Sequence, residues 1–171
     1  AFVISIFACV VLHELGHAVA ARRYGIKTPR ITLLPIGGVA EMERMPENPR
    51  HEIVVAVAGP LVNVLIALVL VFGFGAVLSA DAMGAIENPA QNFLNRVAAV
   101  NVILVLFNLI PAFPMDGGRV LRALLSTYYS RTRATDIAAR IGQALAFAFG
   151  FLGLVSGNVL LVFVAIFVYL A

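Results

Sequence analysis

The sequence predicts an all-α polytopic membrane protein, a bundle of about five transmembrane helices with a short β-hairpin at the cytoplasmic surface. Its 171 residues are 61% hydrophobic and only 12% charged, and the mean hydropathy is +0.99. Soluble domains average about 45–50% apolar and about 25% charged residues. The second observation is a series of apolar runs, separated by Gly, Pro and charge, that are long enough to cross a bilayer. One domain, residues 1–171, is therefore expected.

The first helix is predicted over Ala1–Tyr24, because this stretch is mostly apolar and Gly25 follows as a natural stop. Its cysteine, the single one in the chain, has no partner for an internal disulfide. Pro and Gly residues exclude a long helix in the next segment, Ile26–Glu52. Two short runs there, Ile31–Leu34 and Val39–Met42, flank a pair of glycines and predict the β-hairpin.

The second predicted span is Ile53–Ala80, which carries no charge over 28 residues. Gly59-Pro60 and Asn63 are expected to interrupt it near one end, where a small residue allows close helix approach and a polar amide needs an interior partner. A loop is predicted over Ser79–Asn92, and the third span over Phe93–Ile110.

The rest of the chain is predicted to hold one short helix and two more spans. Pro111–Gly118 cannot continue a helix, and Arg119–Tyr129 resumes one that lies on the surface. The last two spans, Ile137–Val155 and Asn158–Ala171, are joined by a tight turn at Ser156-Gly157.

The basic residues predict how the chain is oriented. Eleven of the 12 Lys and Arg lie within Arg22–Arg50 or Arg119–Arg140, whereas Ser79–Asn92 contains none. Positively charged connections remain in the cytoplasm, so both basic segments are expected there and Arg96 is the exception. This distribution also explains the net charge of +3 and the pI near 9.5, and no nucleic-acid partner is predicted.

The chemistry is predicted to centre on an HExxH motif in the first helix. His13 and His17 are four residues apart, so on a helix they lie one turn apart on one face and can bind one metal ion. Zinc accepts neutral imidazoles plus a carboxylate and keeps a fourth position for water. Glu14 is then placed to take a proton from that water and to hand one to a leaving group.

A third protein ligand is needed, and Asp116 is the best candidate. It lies in an irregular Pro- and Gly-rich segment at the end of a span, on the predicted cytoplasmic side that also carries the histidine pair. An ionisable group in lipid is costly unless it is paired, and a divalent cation would pair it. The alternative is a helix cap or a turn residue before Gly117-Gly118.

Three motifs in this order resemble the site-2 protease family of intramembrane zinc metalloproteases, over nearly the whole chain. They are HELGH in the first helix, AGPLVN at the start of the next, and FNLIP followed by PMDGG after the third span, at His13–His17, Ala58–Asn63 and Phe107–Gly118. The resemblance implies the compact form of the family, without a PDZ domain.

The resemblance also implies roles for individual residues. His13, His17 and Asp116 match the family's zinc ligands, one zinc ion per chain, and Glu14 matches its catalytic glutamate. Asn108 matches an asparagine thought to contact substrate or to stabilise the oxyanion, and a cap at the end of its span is the competing role.

Further expectations concern the supporting residues and the whole protein. Gly59 and Asn63 match the family's GxxxN element, which is usually read as structural support. Family members usually have a further span before the HExxH helix, so the chain is expected to lack that segment and the full protein to have six. Nucleotide-sensing CBS domains often follow the last span in relatives of this compact type.

The predicted function is an intramembrane zinc endopeptidase that cleaves transmembrane segments of membrane-bound substrates near the cytoplasmic side. Its partners would be the lipid bilayer and a transmembrane protein substrate, and the sequence predicts no oligomeric state. The main alternative is a membrane metal-binding or transport protein that uses the same His and Asp residues. A third is an inactive relative that only binds membrane proteins. Glu14 discriminates, because transport needs no base there.

Overall fold

The computed structural model describes residues 1–26, 30–34, 37–41, 46, 48–78 and 92–170. The chain divides into two compact units, one of Ala1–Pro46 with Val57–Phe107 and one of Glu47–Ala56 with Asn108–Ala171. The predicted loop at Ser79–Asn92 lies outside the described residues, apart from its last residue, and so does Met42.

The first two helices carry the HExxH and GxxxN motifs. Helix α1 spans Phe2–Arg23, as the sequence predicts, and α2 spans Pro49–Leu68 and continues as a π-helical turn over Val69–Gly73. The expected interruption at Gly59-Pro60 is wrong, because α2 runs through both residues without a break. A proline removes one backbone donor, and packing against neighbouring helices makes that loss tolerable in a membrane span.

Two strands follow α1. Strand β1, Arg30–Leu34, pairs antiparallel with β2, Gly37–Glu41, and the central pair is Thr32 with Val39. The position of this hairpin at a membrane surface stays a prediction.

Three described helices are long and apolar enough to cross a membrane, namely α1, the Pro49–Gly73 helix and α5, Arg131–Ser156. Two shorter apolar helices are α3, Phe93–Asn108, and α6, Val159–Leu170. Large hydrophobic side chains such as Phe147 and Phe163 are about two-thirds exposed, which suits contact with lipid. The chain is therefore an integral membrane protein, and the count of five spans stays a prediction.

The second unit is held together by small residues. Helix α5 buries one residue per turn along a single stripe, and each is Ala or Gly: Ala134, Ala138, Gly142 and Ala146. A Cβ atom on Gly142 would lie 3.3 Å from Cβ of Ala112, so the segment around Ala112 packs directly on this stripe. Helix α5 ends at Ser156, and Gly157 takes the left-handed conformation with φ 67°, which confirms the predicted turn.

Helix α4 begins earlier than the sequence predicts. It spans Asp116–Leu125 rather than Arg119–Tyr129, so both glycines of the PMDGG motif are helical. Cβ atoms on Gly117 would collide with the carbonyl oxygens of Leu109 and Ile110. Glycine serves here as a spacer that lets the helix start pack on backbone, and not as a helix breaker.

Arg96, the one basic residue outside the two basic segments, contacts an aromatic ring of another helix. Its guanidinium stands 3.9 Å from the ring centroid of Phe2, within the first unit. A cation over an aromatic face is stabilised by about 0.5–2 kcal/mol, so this arginine has a role in helix packing.

Candidate metal centre

The histidine pair of α1 converges as its spacing predicts. Nε2 of His13 lies 3.1 Å from Nε2 of His17, and the rings meet edge to face at 81°. Both side chains are buried, His13 at 5% and His17 at 2% exposure. One imidazole can donate a hydrogen bond to the other at this distance, or both nitrogens can bind a common metal ion.

The geometry fits a zinc ion. Two nitrogen ligands about 2.0–2.1 Å from a tetrahedral zinc stand about 3.3 Å apart, close to the observed separation. Glu14 is also buried, and donor atoms of His13, Glu14 and His17 lie within 4.8 Å of one another. Two neutral imidazoles are ligands that suit zinc, and the carboxylate beside them suits the general base of a zinc-activated water.

Gly59 leaves room in front of the imidazoles. A Cβ atom on Gly59 would lie 2.7 Å from Nε2 of His13 and closer still to Nε2 of His17. A methyl group there would stand close to both nitrogens, in space that a shared metal ion needs. The prediction that Gly59 allows a close helix approach is confirmed.

A second glycine sets the spacing of the same two helices. A Cβ atom on Gly16 would lie 2.7 Å from the carbonyl oxygen of Ala58 and 2.8 Å from Cγ2 of Val62. Glycine at the second x position of the HExxH motif therefore lets α1 pack against the backbone of α2, next to the histidine pair.

Within the described residues, Asn63 lacks the interior partner that the sequence predicts. Its side chain is 0% exposed, and neither its nitrogen nor its oxygen finds a hydrogen-bond partner within the described residues. It lies one helical turn beyond Gly59 on α2. Its role as structural support stays a prediction.

Asn101 was not singled out by sequence reasoning. Its amide nitrogen donates to Sγ of Cys9 at 3.3 Å and to the carbonyl of Val97 at 2.9 Å, and its side chain is fully buried. Cys9 lies one turn before His13, so this pair joins α3 to the helix of the motif. The sequence feature that indicates such a contact is a polar residue inside the apolar run of α3.

The remaining candidate residues belong to the second unit. Asp116 is the first residue of α4, is 6% exposed, and has Nη1 of Arg119 3.6 Å from its Oδ1. Asn108 is the last residue of α3 and is half-buried. Their roles as third ligand and as oxyanion donor or cap stay predictions, as do those of His13, Glu14 and His17.

Apolar helices and a convergent His-Glu-His cluster that could hold a metal ion are together typical of membrane metalloproteases. The chain belongs to Peptidase family M50, whose family model matches residues 1–149. The resemblance to site-2 proteases is thereby confirmed.

Similarity to individual proteins supports membership of this family. The chain is 45% identical over 166 residues to a zinc metalloprotease of Methanocaldococcus jannaschii, which covers 97% of the chain and 46% of the relative. It is 37% identical over 155 residues to a putative zinc metalloprotease of Synechocystis, covering 88% of the chain and 39% of the relative. The solved structure of a site-2 protease from Methanocaldococcus jannaschii matches with a TM-score of 0.77 and 44% identity, over 98% of this chain and 73% of that one. The chain thus spans less than half the length of these two curated relatives.

Proposed function

We propose that the chain is the core of an intramembrane zinc endopeptidase, with residues 1–171 as its metalloprotease domain. The observation that carries the proposal is the 3.1 Å approach of the two Nε2 atoms in a membrane-spanning helix, with the Glu14 carboxylate beside them. Two relatives that match most of the chain are named as zinc metalloproteases, known or putative, which supports the same reading.

Zinc would be held by His13, His17 and Asp116. Bound there, it would supply a Lewis acid for the scissile carbonyl and lower the pKa of a water molecule to roughly 7. Glu14 accepts the proton of the attacking water and delivers one to the leaving amine, which a carboxylate fixed beside the nucleophile can do in both steps. Burial of the three side chains of α1 keeps this chemistry in a low-dielectric environment, where electrostatic interactions are strong.

Asn108 is proposed to donate its amide N–H to the oxyanion. The competing role is a cap at the end of α3, where the structure has it as the last helical residue. A side-chain amide can stabilise negative charge that develops on a carbonyl oxygen.

The substrate is proposed to be a transmembrane segment, cleaved near the cytoplasmic side by a multi-pass protein. A peptide bond inside a helix is shielded by the hydrogen bonds of that helix, so the segment must unwind into an extended strand. The β1–β2 hairpin follows the motif helix in sequence and is an antiparallel ladder of five residue pairs. We propose that the extended substrate pairs with an edge of this hairpin.

The test compares wild type with Glu14→Gln in detergent, with zinc content and cleavage of a single-span substrate as the two readouts. Wild type is expected to bind one zinc ion per chain and to cut. Glu14→Gln is expected to bind zinc equally and to cut at least about a hundredfold more slowly, because it lacks the general base. A chelator should stop the wild-type reaction, and added zinc should restore it.

Two results would contradict the proposal. Equal cleavage by wild type and Glu14→Gln would remove the glutamate from the mechanism. Full zinc content in both proteins with no cleavage by either, tested also in membranes, would favour the metal-binding or transport alternative.

A further inference from the structure

Glu52 is a buried carboxylate that the metal chemistry does not use. It lies in the first turn of α2 and is only 5% exposed. Its Oε1 accepts hydrogen bonds from Nε of Arg122 at 2.9 Å and from Nη2 of the same guanidinium. Its Oε2 faces Nη2 of Arg131 at 3.5 Å. We name these three side chains the Glu52 clamp.

The clamp joins the start of α2 to α4 and α5, all within the second unit. Glu52 belongs to the first turn of α2, Arg122 to the second half of α4, and Arg131 is the first residue of α5. Arg122 is itself mostly buried, and its guanidinium also stands 5.5 Å from the ring centroid of Phe113. The guanidinium of Arg122 is therefore largely shielded from solvent. Removing one partner of such a buried pair leaves the other charge buried without compensation. Loss of either Glu52 or Arg122 should therefore disturb the packing of the helices that carry them.

Helix α4 depends on contacts with its surroundings for its orientation. It has ten residues, and isolated helices shorter than about 12–15 residues are marginal in water. Its first turn is fixed by Gly118, whose Cβ would lie 2.7 Å from the carbonyl oxygen of Ala112. Its second half is fixed by Arg122 through the clamp. Asp116, the first residue of α4, is carried by a helix that is held at both ends.

We propose that the Glu52 clamp positions Asp116 for metal binding, which makes Glu52 and Arg122 positioning residues. The inference rests on the proposed function, in which Asp116 is the third zinc ligand. Metal ligands must be oriented within narrow limits, and groups that orient them affect affinity even without touching the metal. Loss of the clamp would let α4 rotate or shift, and the carboxylate of Asp116 would move with it.

The test measures zinc affinity by chelator competition, together with the visible absorption of the Co²⁺-substituted protein, which reports ligand number and geometry. Glu52→Gln is expected to weaken zinc binding roughly 10–100-fold and to change the Co²⁺ bands. Asp136→Asn is the matched control, because it also removes one carboxylate from the second unit, but an exposed one on α5. It should leave both readouts unchanged.

A second variant keeps the test decisive if Glu52→Gln does not fold. Arg122→Lys retains the charge but loses the planar fork that contacts Oε1, so it should weaken zinc binding in the same direction and by less. A thermal unfolding temperature that falls in both variants while zinc affinity and Co²⁺ bands stay as in wild type would overturn the proposal, since the clamp would then be structural only.

The Asp116→Asn background separates this proposal from the proposed function. Asp116→Asn alone should weaken zinc binding, and unchanged affinity would refute its assignment as a ligand. If the clamp acts through Asp116, adding Glu52→Gln to Asp116→Asn should cause little further loss. A further loss as large as in wild type would show that Glu52 acts elsewhere and would overturn the positioning role while leaving the ligand assignment intact.

Discussion

Gly59→Ala should damage the metal site through one methyl group. The added Cβ would lie 2.7 Å from Nε2 of His13, and closer to Nε2 of His17, whereas Cβ atoms essentially never approach other atoms below 3.0 Å. The imidazoles and the backbone of α2 must therefore move apart, by at least about 0.3 Å at Nε2 of His13, from 2.7 to 3.0 Å, and by more at Nε2 of His17. Metal–ligand distances tolerate only about ±0.2 Å.

The expected size of the effect follows from that displacement. Zinc affinity should fall roughly 10–100-fold, as it does when the surroundings of metal ligands are disturbed. Cleavage by zinc-saturated protein should fall about 100-fold, because misplacement by a fraction of an ångström to 1 Å is costly in catalysis. Helix propensity acts in the opposite direction, since Ala in a helix interior is favoured over Gly by about 0.5–1 kcal/mol. A loss of zinc affinity would therefore come from the collision and not from a weakened helix.

The assay is chelator competition on purified protein in detergent, followed by cleavage of a single-span substrate. Gly73→Ala is the matched control, because among the described residues its Cβ would meet only Cγ1 of Val69, at 3.9 Å. That variant should bind zinc and cut like wild type. Zinc affinity of Gly59→Ala within twofold of the Gly73→Ala value would contradict this prediction, since zinc binding would then not need the space in front of Gly59.

Two further predictions concern Asn63 and the hairpin. Asn63→Ala should unfold at an equal or higher temperature, because deleting a buried amide without a visible partner removes a cost of about 1–3 kcal/mol and the cavity it leaves is small. A fall of several degrees in a detergent melting experiment would show that the amide has a partner after all. Thr32→Pro should slow cleavage of a membrane substrate at least tenfold, because proline removes a backbone donor at the central pair of the two strands. Thr32→Ala, which keeps that donor, is its control, and equal rates for the two variants would count against strand pairing with the substrate.

Features that depend on local spacing could be predicted from the sequence. A repeat of four residues on a helix brings His13 and His17 to one face, whatever the rest of the chain does, and their nitrogens do converge. Helix α1 ends at Arg23, one residue before the predicted end, because Gly25 takes a positive φ of 72° there. Apolar composition likewise predicted where the long helices lie.

The sequence predicts two helix boundaries wrongly, and both predictions rest on Gly or Pro as helix breakers. Helix α2 continues through Pro60, and α4 starts at Asp116 although two glycines follow it. In both places tertiary packing outweighs intrinsic propensity, and at Gly117 and Gly118 the missing side chain lets the helix pack directly on backbone. Propensity alone does not distinguish a glycine that breaks a helix from one that lets a helix pack closely.

Ion pairs between residues far apart in the sequence could not be predicted from local spacing. Glu52 and Arg122 are separated by 70 positions, and each taken alone is typical of a solvated residue at the end of a span. Burial changes their chemistry, because a charge without its partner there is far more costly than at the surface. The distribution of Lys and Arg predicts which segments lie on the cytoplasmic side of the membrane. The structure adds that two of these arginines, Arg122 and Arg131, also form ion pairs with the carboxylate of Glu52.

An HExxH motif alone is insufficient to define this site. The motif supplies two nitrogens and a carboxylate, but the space in front of them depends on Gly59 of another helix, 42 residues after His17. A larger residue there would leave the motif intact in the sequence and the imidazoles without room for a metal ion. The order of HELGH followed by AGPLVN is therefore informative for a physical reason, since the first motif supplies the ligands and the second supplies the space they need.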